Sequence, residues 1–170
     1  MKLTTKQLTL CALLTAMALA LSYLENLFPL SLAIPIPGVK LGLANIVTVY
    51  AMFALSPAQA LGILVCRVFL GSIFSGHPET LFYSLGGGLL CWAVMLLLRP
   101  VLTGKQVWVA GVIGAAAHNF GQILVGIALT RTPGLIVYLP VLMVSGILTG
   151  AFTGTAAQAL IRHLERIRQK

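Results

Sequence analysis

Apolar residues run along this chain in six long stretches, separated by short polar, proline- or glycine-bearing breaks. A membrane-crossing helix needs about 20 apolar residues, fewer where it is short or partly shielded. On that scale the pattern predicts spans from about Gln7 to Phe28, Leu41 to Leu55, Ala58 to Phe74, Glu79 to Leu98, Val107 to Leu129 and Leu135 to Ile161. Pro29, Pro35 and Pro37 fall in the first break. Ser56-Pro57 makes the second, because proline is tolerated at a helix start and disfavours helix in the residue before it. Ser75-Gly76-His77-Pro78, Arg99-Pro100 and Thr130-Arg131-Thr132-Pro133-Gly134 make the others. Strict alternation of apolar and polar positions is absent and the runs are too long for barrel strands, so the reading is an all-α membrane protein of six transmembrane helices. Residues 1–170 form one six-helix domain. The basic start and first apolar run suit a secretory leader in kind, but the run is too long for one, and it reads as the first span.

Composition sharpens this picture. Of the 170 residues, 59% are hydrophobic and 8% charged; a soluble domain carries roughly a quarter charged residues. The net charge of +8 reflects scarcity of acids, since all three are Glu. The bases sit at the ends of apolar runs, which suits membrane topology and excludes the clustered basic face of a nucleic-acid binder. Lys2, Lys6, Arg99, Lys105, Arg162, Arg166, Arg168 and Lys170 fall on one side of a six-span arrangement; Lys40 and Arg131 fall on the other. The excess marks the cytoplasmic side. Both termini are therefore expected in the cytoplasm of a multi-pass cell-membrane protein.

Against this background Arg67 stands out. It is the single charge between Ala58 and Phe74, at a depth where ionisable groups are costly and face protein, partner or water. Other polar groups within the spans are Asn45, the His118-Asn119 pair with Gln122 one turn on, and Glu79 with Tyr83 one turn on. For Asn45 and Asn119, hydrogen bonding between helices weighs equally with ligand contact. Arg67 has two candidate partners. If the third and fourth spans form a hairpin, Glu79 is roughly 10 Å away along the helix and reachable; an anionic ligand group held bidentately is the other. Small residues recur every fourth position as Gly146, Gly150 and Gly154 in the last span and Ala12, Ala16 and Ala20 in the first. The glycine stripe reads as internal packing. The alanine stripe is divided evenly between packing and docking onto another membrane subunit.

Some chemistry is excluded or unsupported. The three cysteines, Cys11, Cys66 and Cys91, lie in apolar runs without metal spacing, and no metal or other cofactor is expected. There is no phosphate-binding loop motif for ATP. Without aspartate, the chain lacks the clustered carboxylates of a magnesium-diphosphate site. The chain is not expected to be an enzyme.

The segment Pro35 to Val47 (PIPGVKLGLANIV) is the most distinctive stretch. It resembles the hallmark of the Gx transporter family, also named heptaprenyl diphosphate synthase component I, and the likeness extends over nearly the whole chain. That family resembles the substrate-binding S components of energy-coupling factor (ECF) importers. The resemblance implies a bundle that captures a small nutrient or cofactor precursor from outside and works with a transmembrane T component and two ATPase subunits. It implies docking through an alanine-rich first helix, here Ala12, Ala16 and Ala20. It also implies a pocket under the loop carrying Pro37, Gly38 and Lys40. Lys40 and Arg67 would then meet an anionic or polar group; Asn45, His118, Asn119 and Gln122 would hydrogen-bond the ligand; Tyr83 and the apolar walls would pack against its body, with Glu79 as the one acid pointing at the cavity. The alternatives are a membrane accessory subunit of a heptaprenyl diphosphate synthase, acting in isoprenoid synthesis, and a solitary carrier or channel.

Overall fold

A computed structural model describes residues 4–27, 42–76, 78–102 and 106–168, except the side chains at 26, 27, 79 and 168. Its elements are α1 (Thr5–Leu27), α2 (Leu43–Ala54), α3 (Pro57–Ser75), α4 (Glu79–Leu98), α5 (Val107–Thr130), a 3-10 segment (Pro133–Tyr138) and α6 (Leu139–Arg168). No strand occurs among the described residues. Five of the helices are long and apolar enough to cross a membrane, which makes this a multi-pass membrane protein. The exception is α2. Its 12 residues rise roughly 18 Å, against a hydrocarbon core of about 30 Å.

Three boundaries refine the sequence reading. The second helix begins at Leu43, later than expected, because Gly42 takes a left-handed φ of 69° and caps it. The sixth begins at Leu139, because residues 133–138 wind as a 3-10 turn first. It then continues past Ile161 to Arg168. The apolar pattern stops at Ile161, but Arg, Leu and Glu are good helix formers, so the backbone keeps its hydrogen bonds beyond the apolar run. The Ser56-Pro57 break behaves as expected. Ser56 is extended, its Oγ accepts the Gln59 N–H at 3.3 Å, and Pro57 opens α3.

The short helix α2 is central, touching α1, α3, α4, α5 and α6. Its Val47, Val49, Ala51 and Met52 are buried. With Leu14, Ala18, Ile63, Met95, Val107 and Ala157 they form an apolar core. That core occupies the half of the bundle where α2 and α4 finish and α3 and α5 start. Trp92 of α4 pins this half by donating Nε1–H to the Pro57 carbonyl at 2.9 Å. Arg99 adds a bond from Nη2 to the Leu55 carbonyl at 3.3 Å. Trp92→Phe keeps a smaller aromatic ring and removes the donor. It should lower stability by about 1 kcal/mol, read as a melting midpoint a few degrees lower in detergent. An unchanged midpoint would show the bond to be idle.

Helices α4, α5 and α6 pack closely. The glycine stripe of α6 is internal, as its spacing suggested. A Cβ at Gly154 would come within 2.7 Å of the Trp108 carbonyl oxygen. The alanine stripe of α1 faces the other way. Ala12, Ala16 and Ala20 are exposed, while Leu14 and Ala18 on the opposite face are buried.

A polar cavity around Arg67

The other half of the bundle opens into a cavity of about 450 Å³. Its wall follows from helical spacing, because residues three or four apart share a face. Ser22 and Glu25 come from the last turns of α1, and Gly42, Ala44 and Asn45 from the start of α2. Arg67, Val68, Gly71, Ser72 and Ser75 come from α3, and Thr80 and Ser84 from α4. Ala115, His118, Asn119 and Gln122 come from α5, and Ser145 and Thr149 from α6. Six helices thus each turn a small polar face inward, while their outer faces stay apolar.

Arg67 is 8% exposed. Its Nη2 donates to Asn45 Oδ1 at 3.4 Å, a long contact. Its Nε has no hydrogen-bond partner among the described residues. A guanidinium buried with an unused donor costs free energy unless something else accepts that bond. Glu25 lies on the same wall. It accepts the Gly42 N–H at 2.5 Å, which ties the end of α1 to the start of α2. The carboxylate also sits at the positive end of the α2 dipole, a favourable position. Among the described residues Glu25 makes no hydrogen bond to Arg67, though its charge attracts the guanidinium. Thr48, one turn below Asn45, holds a second buried polar atom, its Oγ1, without a partner among the described residues.

The cavity brings together Asn45, Arg67, His118, Asn119 and Gln122, five of the eight residues read from the sequence as ligand contacts. Asn119 is partly committed elsewhere, since its Nδ2 donates to the Leu142 carbonyl at 2.6 Å and so joins α5 to α6. His118 and Gln122 fit against α4 because position 87 is glycine; a Cβ there would fall 2.8 Å from Gln122 Cγ and 3.1 Å from His118 Cε1. Tyr83 is not on the cavity wall. It is half-buried, with its ring against α5 at Gly126. The reason is its rotation on α4: Thr80 and Ser84, four apart, hold the inward face and turn Tyr83 aside. Lys40, the loop around Pro37 and Gly38, and the Glu79 side chain lie outside the described residues, and with them the expected Arg67–Glu79 pair.

Sequence reasoning missed Glu25 and the hydroxyl residues. Glu25 falls at the end of the first span, where an acid reads as an interfacial residue. The hydroxyl pairs Thr80/Ser84 and Ser145/Thr149 carried a usable pattern, two small polar residues four apart in an apolar run. No group of three potential metal ligands occurs among the described residues.

A family model described as heptaprenyl diphosphate synthase component I matches residues 14–160. Neither the comparison with curated proteins nor that with solved structures gives a match.

Proposed function

The chain belongs to the heptaprenyl diphosphate synthase component I family, and from that premise we propose that it is the substrate-capturing S component of an ECF-type importer in the cell membrane. In this reading the bundle crosses the membrane as six segments, with both termini in the cytoplasm and the cavity facing outward. The ligand is a small nutrient or cofactor precursor with an anionic group. A transmembrane T component and two ATPase subunits supply the energy. The exposed Ala12, Ala16 and Ala20 stripe is the docking face, because small side chains let a partner helix approach closely.

The observation that carries this reading is the cavity. A hydroxyl- and amide-lined chamber with a half-satisfied arginine, inside an otherwise apolar bundle, is costly to keep without a polar occupant. Membrane anchoring of a soluble synthase would leave that cavity unused. The family's printed name favours the second reading, an accessory subunit of heptaprenyl diphosphate synthase, with catalysis residing in the soluble partner.

The two readings separate on their partners. Tagged full-length protein, solubilised gently from its native membrane, should recover a T component and two ATPases. Recovery of a soluble prenyl diphosphate synthase instead, with prenyl transfer dependent on this chain, would decide for the second reading.

A further inference from the structure

The cavity wall carries Arg67, His118 and one described acid, Glu25; the Glu25 charge attracts the guanidinium, but no hydrogen bond joins the two side chains among the described residues. Arg67 offers an unused Nε–H from a side chain more than nine-tenths buried. Glu25 uses one carboxylate oxygen on the Gly42 N–H and makes no other bond among the described residues. Both groups therefore present unsatisfied capacity of opposite kind to one space of about 450 Å³. A ligand with only an anionic group would satisfy Arg67 and be repelled by Glu25. A ligand with only a basic group would do the reverse.

We propose that the cavity takes a compact amphoteric molecule, its carboxylate on Arg67 and a basic or N–H-bearing nitrogen on Glu25. This rests on the capture reading above and names its ligand class. A guanidinium side-on to a carboxylate uses Nε and one Nη, which matches the free Nε of Arg67. The remaining wall suits a polar body. Hydroxyls such as Ser72, Thr80, Ser145 and Thr149 surround it, and no Phe, Tyr or Trp lines it among the described residues. Prenyl diphosphates fit poorly on three counts. A single arginine beside a glutamate faces a group of two or more negative charges. No cluster of carboxylates for magnesium occurs among the described residues. The described wall offers only Ala44, Val68, Gly71 and Ala115 as apolar contacts.

The test uses the full chain in lipid nanodiscs, washed free of carried ligand. It is offered three probe sets: free amino acids and aminated heterocyclic carboxylates, the matching carboxylates lacking the basic nitrogen, and farnesyl diphosphate. Retained compounds are released and identified by mass spectrometry. Retention from the first set, at least tenfold above the second and third, is expected. Glu25→Gln should cut that retention at least tenfold, because the amide oxygen can still accept the Gly42 N–H while the charge and the second acceptor oxygen are lost. The melting midpoint of Glu25→Gln reports whether it folds, and Arg67→Lys provides a second folded variant that should retain the probe weakly. Preference for the plain carboxylates or the diphosphate, retention of nothing, or full retention by Glu25→Gln would overturn the ligand class. The capture reading itself stands or falls separately, on recovery of the T component and ATPases.

Discussion

Arg67→Leu is expected to lose ligand retention by about 10- to 100-fold while leaving the melting midpoint unchanged or raised. The two effects have one cause. Arg67 is buried, has one long hydrogen bond to Asn45, and carries an unpartnered Nε. A charge-assisted hydrogen bond contributes about 1.5–3 kcal/mol when its partner is in place, and 1.4 kcal/mol is tenfold in affinity. Without ligand, the same side chain is a desolvated charge that Glu25 attracts across the cavity but does not hydrogen-bond. Replacing such a group by an apolar residue of similar size is often neutral or stabilising. Ligand retention by native mass spectrometry and melting in detergent check both halves. A midpoint lowered by many degrees would make Arg67 a structural residue, and undiminished retention would make it idle.

The second large effect concerns the α5–α6 contact. Gly150→Leu should reduce folded, monodisperse protein severely, with any surviving fraction melting well below wild type. A Cβ at position 150 would lie 2.6 Å from the Gly111 carbonyl oxygen and 2.8 Å from both the Val112 Cα and the Ala115 Cβ. Two of those atoms are backbone, so no rotamer change relieves the clash and the helices must separate. Overpacking costs about 1–3 kcal/mol where side chains can adjust, and here they cannot. Separation would also stretch the 2.6 Å bond from Asn119 to the Leu142 carbonyl and move the α6 wall of the cavity. Leu148→Ile, at an exposed position on the same helix, serves as the control. Normal yield and melting for Gly150→Leu would show that α5 and α6 do not approach this closely.

Arg67 illustrates how much of the site was legible in the sequence. A lone charge in an apolar run demands a polar environment on energetic grounds alone, so its importance could be read without coordinates. Asn45, His118 and Gln122 were legible in the same way, as polar groups in apolar spans. Glu25 was not, because its role depends on the Gly42 N–H, seventeen residues away in the chain. Tyr83 misled for the converse reason: spacing puts it one turn from Glu79, but which face of α4 turns inward depends on where α3 and α5 sit. The alanine stripe was undecided from spacing, and the packing of Leu14 and Ala18 settled which face of α1 is left outward.

The sequence by itself determined the helical membrane character, the five long helices and the need for a polar interior, because lipid tolerates only segments whose backbone groups are satisfied, apolar runs this long satisfy them as helices, and isolated charge is costly there. It also carried the Pro35 to Val47 resemblance to a family whose model spans residues 14–160. Only the tertiary structure decided that α2 is a short central helix, that Arg67 and Glu25 face one cavity without hydrogen-bonding each other, and that Tyr83 stands outside it. Those facts depend on the rotation and depth of each helix against its neighbours, which close glycine contacts between distant segments set and local spacing does not encode.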